Sequence, residues 1–178
     1  GIFARSQKAR EGLQDLSLAN KFSILRSNIF GVDLDQQAVE IAQLNLMLKT
    51  LERKQQLPHL DNIKCGNSLI DDSKVASDKA FDWNSEFPEI MKNGGFDVIV
   101  GNPPYLKEMD SKNIFEPIKN SDYKKYYQGK MDLWYFFLHR AIDVVKENGI
   151  IGFITNSYFL KSDGASKLID RIQSELVL

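Results

Sequence analysis

The stretch Phe96-Asp97-Val98-Ile99-Val100-Gly101-Asn102-Pro103-Pro104-Tyr105 decides the fold of this 178-residue chain. Residues 96–100 form a short apolar run, which is typical of a buried strand in a parallel sheet. Residues 102–105 then place a polar amide, two prolines and an aromatic ring at the carboxyl end of that strand, where open α/β sheets bind their ligands. Asn-Pro and Pro-Pro are also ordinary turn signals, so the stretch by itself leaves a turn and a binding site open.

The chemistry of residues 102–105 suits one kind of ligand. Two prolines remove two backbone donors, so nearby carbonyls are free to accept hydrogen bonds. Asn102 offers a carbonyl oxygen and an amide donor, and Tyr105 offers a flat face for stacking. This set fits a planar ring that carries an exocyclic amine.

Strands and helices alternate on both sides of this stretch. Before it, we predict a strand from Asn28 to Asp33, a helix from the N-cap Asp35 through Leu51 with Ile41, Leu44 and Leu48 at helical spacing, a brief strand over 63–65, and a polar, irregular region over 71–95. After it, we predict a helix from Met131 to Glu147, a strand over 150–155 and a helix over 165–176. This rhythm predicts an α/β fold with a mainly parallel sheet covered by helices.

The composition of the chain excludes several classes of protein. A net charge of −1 gives no overall sign of a nucleic-acid binder, although it leaves room for a local basic patch. The single cysteine, Cys65, rules out an internal disulfide, and we interpret it as a small buried apolar residue. His59 and His139 have no partner at metal-ligand spacing, so we expect no metal site. No apolar run approaches the roughly 20 residues of a membrane span, and we expect a cytoplasmic location.

Three polar residues fall at the carboxyl ends of predicted strands: Asp33, Asn67 and Asn102. In a doubly wound sheet these ends converge on one crevice, which favours a shared ligand site. A carboxylate there commonly accepts hydrogen bonds from a ribose diol, and Asn67 is placed to meet the edge of a purine. Each residue also has a structural explanation, because Asp33 or Asp35 can cap the next helix and Asn67 can form a turn. We assign the cap to Asp35 and the ligand to Asp33, since Asp33 ends the strand.

The chain resembles the N6-adenine DNA methyltransferases of restriction–modification systems, and in particular the Eco57I-like and fused type II methylases. Four segments carry the resemblance: Ile29 to Asp35, Cys65 to Leu69, Phe96 to Tyr105, and Asp132 to Leu160. The last segment is the most discriminating. Residues 102–105 alone are shared with methyltransferases that act on protein glutamine and on ribosomal RNA. The resemblance implies a Rossmann-like methyltransferase sheet, S-adenosylmethionine as the cofactor and a bacterial or archaeal source.

The resemblance also implies a role for each site residue. Asp33 would bind the ribose hydroxyls of S-adenosylmethionine, and Asn67 the adenine of the cofactor, although the family more often has Asp at this position. The Asn102 side chain and the Pro103 carbonyl would accept hydrogen bonds from the target N6 amine, and Tyr105 would stack on the flipped base. Such a transfer needs positioning and no covalent adduct. A target inside double-stranded DNA has to be flipped out of the helix.

Two features depart from the family pattern. Residues 1–27, which we predict to be a helical lead-in, contain no glycine-rich turn, and we expect the final strands and a DNA-recognition domain to lie outside the given sequence. We therefore expect residues 1–178 to be a single partial catalytic domain of a larger enzyme, with an incomplete sheet that lacks its central strand. The strands ending at Asp33 and Asn102 would then pair with each other, or a second copy would fill the gap by dimerisation or strand swapping. We expect the chain alone to bind cofactor weakly and to be inactive.

The segment 103–130 is predicted to be a long substrate-side loop. Its lysines alternate with Tyr123, Tyr126 and Tyr127, but four acidic residues lie among them, so we interpret it as a solvated mobile loop, with ordering on DNA as the alternative. Two other functions stay open: an RNA or protein-glutamine methyltransferase of the same fold, and an inactive interaction module. The length of this segment and residues 132–160 favour the DNA adenine enzyme.

Overall fold

The computed structural model describes residues 18–49 and 60–177, which belong to two compact units that divide between Cys65 and Gly66. Unit 1 contains helix α1 (Leu18–Asn28), strand β1 (Gly31–Asp33), helix α2 (Gln36–Leu48) and strand β2 (Ile63–Cys65). The two strands are parallel, with Gly31 opposite Ile63 and Asp33 opposite Cys65. The predicted strand, helix and strand are therefore confirmed, although β1 is shorter because α1 extends to Asn28. The predicted end of the helix at Leu51 lies outside the described residues.

Helix α2 begins where the sequence predicts. Asp35 is its N-cap, and its side chain accepts a hydrogen bond of 2.9 Å from the backbone N–H of Gln37. Val39 is buried, whereas the apolar residues that predicted the helix, Ile41, Leu44 and Leu48, are exposed. The apolar stripe of α2 is therefore left uncovered by the described residues of unit 1.

Unit 2 is built around two parallel strands. Strand β3 (Phe96–Gly101) pairs with strand β4 (Val145–Phe153) up to Gly101 opposite Phe153. Five helices accompany them: α3 (Ser73–Ala76), α4 (Trp83–Glu86), α5 (Pro88–Lys92), α6 (Lys112–Lys119) and α7 (Trp134–Val144), with α8 (Ser166–Glu175) near the end of the chain. Short 3-10 helices span Ser77–Lys79, Asp122–Tyr126, Ser157–Lys161 and Asp163–Ala165. The α/β class with parallel strand pairs is confirmed, and a complete Rossmann-like sheet stays a prediction.

The boundary between α7 and β4 differs from the prediction. The helix ends at Val144 and not at Glu147, because Val145 already pairs with Phe96. The pairing of β3 with β4 is irregular between Phe96 and Val98 of β3, and Asn148 of β4 takes a left-handed backbone with φ of 63°. Asn148 and Gly149 therefore form a bulge inside β4.

The core of unit 2 lies on one side of the β3–β4 sheet. Trp134, Tyr135 and Phe136 from the first turn of α7 are buried there. Phe115 and Tyr123, from the segment predicted to be a solvated mobile loop, are buried in the same core. That prediction is wrong, because residues 103–130 contain α6 and a 3-10 helix that pack against α7.

Strands β1 and β3 belong to two separate two-stranded sheets. The expectation that they pair with each other across a gap is therefore wrong. Among the described residues, each has a single strand neighbour, and filling of the other edge by a second copy stays a prediction. No helix within residues 18–49 and 60–177 is long and apolar enough to cross a membrane.

Candidate functional site

The strand-end loop, residues 102–105, leaves β3 at the carboxyl end of the parallel pair. The last residue of the strand, Gly101, lies opposite Phe153, and its carbonyl accepts a hydrogen bond of 3.2 Å from the N–H of Ile154. A Cβ atom at Gly101 would come within 3.0 Å of the Phe153 ring. The close approach of the two strands therefore fixes the point from which the loop starts.

Tyr105 ties the loop back to the end of β4. Its hydroxyl donates a hydrogen bond of 2.7 Å to the carbonyl of Ile154, and its side chain is 46% exposed. Pro103 is buried, whereas Asn102 and Pro104 are exposed. The buried proline and the tyrosine hydroxyl thus hold the two ends of the loop, and part of the tyrosine ring stays open to a ligand.

Two hydrogen-bond acceptors of the strand-end loop are unused. Within the described part of the chain, neither the Asn102 side chain nor the Pro103 carbonyl takes part in a hydrogen bond. They belong to adjacent residues, one exposed and one buried at the strand end. Both are oxygens that accept hydrogen bonds.

The chain beyond Tyr105 is held by backbone pairing. The Leu106 carbonyl accepts a hydrogen bond of 2.8 Å from the N–H of Leu133, and the N–H of Glu108 donates to the Met131 carbonyl at 2.9 Å. Between these bonds, Lys107 and Asp132 form an antiparallel bridge. Burial raises the pKa of the Asp132 carboxyl. The exit of the strand-end loop is therefore anchored to the chain just before α7.

Glu108 fastens the same segment through its side chain. It accepts hydrogen bonds from the Tyr127 hydroxyl and from Lys119, whose Nζ lies 2.9 Å away and over the Tyr127 ring. Burial works against the ionised carboxylate, but the hydrogen bonds from Tyr127 and Lys119 outweigh it and lower the pKa of Glu108. These contacts hold the segment that follows the strand-end loop in place.

Asn67 lies at the start of unit 2, just after β2. Its side-chain oxygen accepts a hydrogen bond of 3.1 Å from the N–H of Leu69, and its own N–H donates to the Lys79 carbonyl at 2.6 Å. The preceding Gly66 is required here, since a Cβ atom would lie 2.5 Å from the Phe81 ring. Asn67 therefore forms a turn, while its side-chain nitrogen has no partner among the described residues.

Asp33 ends β1 in unit 1 and is exposed. One of its carboxylate oxygens accepts a hydrogen bond of 2.8 Å from the N–H of Asp35, and the other has no partner in the described part of the chain. Cys65, opposite Asp33 in the strand register, is half-buried, and its thiol contacts the Leu34 carbonyl at 3.5 Å. The expectation of a buried Cys65 is therefore wrong.

Comparison with known proteins supports the resemblance seen in the sequence. Residues 27–176 match the family described as Eco57I restriction-modification methylase. The chain belongs to this family. It is 36% identical over 179 residues to the type II restriction enzyme and methyltransferase RM.Eco57I of Escherichia coli, an alignment that covers 93% of this chain and 18% of the relative.

Two further relatives are methyltransferases by name. The adenine-specific methyltransferase PglX of Streptomyces coelicolor is 27% identical over 80% of this chain and 14% of its own length. The type II methyltransferase M.AccI of Acinetobacter calcoaceticus is 27% identical over 75% of this chain and 23% of its own length. The chain thus spans less than a quarter of the length of each of these three relatives.

The predicted site residues of this family member lie at three places in the chain. Asn102, Pro103 and Tyr105 share one loop in unit 2, Asn67 lies near the start of unit 2, and Asp33 belongs to unit 1. Sequence reasoning missed Ile154, whose carbonyl holds the Tyr105 hydroxyl. The available signal was its position at the carboxyl end of the neighbouring parallel strand, which brings it to the same edge of the sheet as the loop.

Proposed function

We propose that this chain forms part of the catalytic domain of a site-specific DNA adenine-N6 methyltransferase in a restriction–modification system. The strand-end loop is the observation that supports it most. It combines two acceptors that have no partner among residues 18–49 and 60–177, on Asn102 and Pro103, with a partly exposed tyrosine ring at the carboxyl end of a parallel strand. These are the groups that an exocyclic amine on a flat ring needs.

In this proposal the loop holds the target amine by its two hydrogens. The Asn102 side-chain oxygen accepts one N6–H and the Pro103 carbonyl accepts the other. When both N6–H bonds point at these two acceptors, both hydrogens lie in the plane of the base. The nitrogen lone pair is then directed out of that plane. Positioning of this kind supplies most of the rate of a direct transfer, since no covalent adduct is formed.

Tyr105 supports the flipped adenine by stacking. Its hydroxyl is already bound to the Ile154 carbonyl, so the orientation of the ring is set before the base arrives. A prearranged ring loses less conformational entropy on binding than a free one. A base stacked on an aromatic ring gains roughly 1–3 kcal/mol.

Asp33 and Asn67 each have chemistry that suits binding of the cofactor. S-adenosylmethionine, when bound, supplies an electrophilic methyl group. The Asp33 carboxylate oxygen and the Asn67 side-chain nitrogen that have no partner among the described residues suit cofactor binding. The oxygen can accept from ribose hydroxyls, and the nitrogen can donate to a ring nitrogen of the cofactor's adenine. In each residue one side-chain oxygen accepts a hydrogen bond from the backbone N–H two residues ahead, and a second polar atom remains for the ligand.

The names of two relatives support a restriction–modification role and adenine as the methylated base. RM.Eco57I is named as a restriction enzyme and methyltransferase, and PglX as adenine-specific. In our proposal double-stranded DNA is bound through a recognition domain of the parent protein. The same proposal places S-adenosylmethionine as the methyl donor.

Methyl transfer by the full-length protein tests this function. Radiolabelled S-adenosylmethionine is supplied with DNA, RNA or a glutamine-containing protein, and the labelled product is identified after digestion. We expect N6-methyladenine in DNA, and a fall of about 100-fold in kcat for Asn102→Ala, because an amine held by one acceptor is misplaced. Asn45→Ala, in the exposed part of α2, is the matched control and should leave kcat unchanged.

Two outcomes would contradict the proposal. Label that appears in RNA or protein and not in DNA would assign the chain to a different substrate class. Full activity of Asn102→Ala on DNA would show that the strand-end loop does not hold the amine. A thermal unfolding midpoint equal to that of the wild type is required for each variant.

A further inference from the structure

The 3-10 helix Ser157–Lys161 follows β4 and has a fixed backbone. The Asn156 side chain accepts a hydrogen bond of 3.2 Å from the N–H of Tyr158, and the N–H of Ser162 donates to the Phe159 carbonyl at 3.0 Å. The Phe159 ring packs edge-on against Trp134, with 5.2 Å between the ring centroids. The turn is thus anchored at its start, in its middle and at its end.

Large side chains on either side of this anchor are left in solvent. Tyr158 is 83% exposed and Leu160 is 63% exposed, while Phe159 between them is partly buried. A single exposed apolar side chain is ordinary, but neighbouring ones on a rigid backbone indicate an interaction surface. Tyr158 contributes little to the core, because most of its surface is exposed to solvent.

This turn lies next to the strand-end loop. The carbonyl that holds the Tyr105 hydroxyl belongs to Ile154, and Tyr158 follows four residues later. Four residues span at most about 15 Å. Successive nucleotides of one strand are about 3.4 Å apart along the helix axis, so Tyr158 is within a few nucleotides of a base bound at Tyr105.

The charge of the turn suits a phosphate backbone. Lys161 ends the turn, is exposed and has no ion pair in residues 18–49 and 60–177. The nearest acidic residue along the chain, Asp163, lies 3.9 Å from the Nζ of Lys130. The positive charge of Lys161 is therefore available near the exposed Tyr158 ring. Proteins that bind a nucleic-acid strand combine basic side chains with aromatic rings in this way.

We propose that Tyr158 and Lys161 bind the DNA strand on one side of the flipped adenine. Tyr158 stacks on a base that neighbours the extruded nucleotide, and Lys161 contacts a phosphate of the same strand. This inference rests on the proposed function, because it takes the nucleotide at Tyr105 as the target. It adds a second contact surface, separate from the residues that hold the amine.

DNA binding by the full-length protein tests this surface. Fluorescence anisotropy with a labelled duplex at several salt concentrations gives Kd and its salt dependence, and methyl transfer is measured on the same duplex. We expect Tyr158→Ala to raise Kd about 5- to 100-fold and Tyr158→Phe to leave it within about twofold, because Phe keeps the stacking face. Lys161→Ala should lower the slope of log Kd against log salt concentration by about 1.

The matched control is Lys92→Ala. Lys92 is an exposed lysine that ends α5 before the amino end of β3, on the opposite side from the strand-end loop. We expect its Kd and salt slope to equal those of the wild type. A similar loss of affinity in Lys92→Ala and Lys161→Ala would overturn the inference, since it would reflect overall charge.

Different results would overturn the roles of Tyr158 and Lys161 and the proposed function. If the wild type methylates DNA adenine while Tyr158→Ala binds and methylates equally well, the inference is overturned and the proposed function stands. If the wild type binds DNA but transfers no methyl group, the proposed function is overturned. Unchanged thermal midpoints are expected for all four variants, since the substituted side chains are exposed.

Discussion

Replacing His139 with Phe should remove a large part of the acid sensitivity of unit 2. His139 is completely buried, and its ring stacks on Tyr126 with 3.8 Å between the centroids. Neither ring nitrogen has a hydrogen-bond partner among the described residues. Burial, reinforced by the positive charge of Arg171, lowers the pKa of His139 from 6.5 to about 3.

The size of the effect follows from this shift in pKa. The folded unit keeps His139 neutral, whereas the unfolded chain binds a proton below pH 6.5. The contribution of His139 to stability is therefore complete above pH 6.5 and is lost as the pH falls towards 3, with a limiting slope of about 1.4 kcal/mol per pH unit. Between pH 7 and pH 5 this amounts to about 2 kcal/mol.

Urea unfolding followed by tryptophan fluorescence measures this difference. Both tryptophans of the chain, Trp83 and Trp134, belong to unit 2, so the signal reports that unit. Carboxylates such as Glu108 titrate in both proteins, and comparison of wild type with His139→Phe isolates the histidine. Phe keeps the stacking on Tyr126, and His139→Gln serves as a second neutral variant. An equal loss of stability between pH 7 and pH 5 in all three proteins would refute this reasoning.

Two further pairs of substitutions test the site residues. Asp35→Ala should lower the free energy of unfolding of unit 1 by about 1 kcal/mol through loss of the α2 cap, whereas Asp33→Ala should mainly weaken S-adenosylmethionine binding measured by calorimetry. Identical effects of the two changes on cofactor affinity would contradict the assignment. Tyr105→Phe should lower kcat/KM about fivefold by losing the hydrogen bond to Ile154, and Tyr105→Ala should cost more because the ring is lost as well. Equal losses would show that stacking contributes nothing.

The parts of the fold that were predicted correctly depend on short-range chemistry. Asp35 caps α2 because its side chain reaches a backbone N–H two residues ahead, which the sequence alone reveals. Strand β3 follows from its apolar run and its Pro-Pro end, but the expectation that it is buried is wrong, because Val98 and Val100 are exposed. The candidate acceptors of the strand-end loop follow from the residue types themselves, since prolines cannot donate.

The parts that were missed depend on distant partners. The end of α7 was placed three residues too late because Val145 leaves the helix to pair with Phe96, about 50 residues away. Helix α6 was overlooked because Pro117 lies inside it and its surroundings are polar. Phe115 and Ile118, three residues apart and both buried, were the helical signal in that segment.

The two meanings of Asn102 to Tyr105, a turn and a binding site, can be separated by comparison with other residues of this chain. Asn67 and Asn156 each spend their side-chain oxygen on the backbone N–H two residues ahead, at Leu69 and Tyr158. Asn102 is denied this bond, because the residue two positions ahead is Pro104, which has no N–H. Within the described residues no backbone hydrogen bond closes residues 102–105 into a turn either. The second proline therefore leaves the Asn102 oxygen without a partner among the described residues, and this is the physical reason why we propose a binding site rather than a turn.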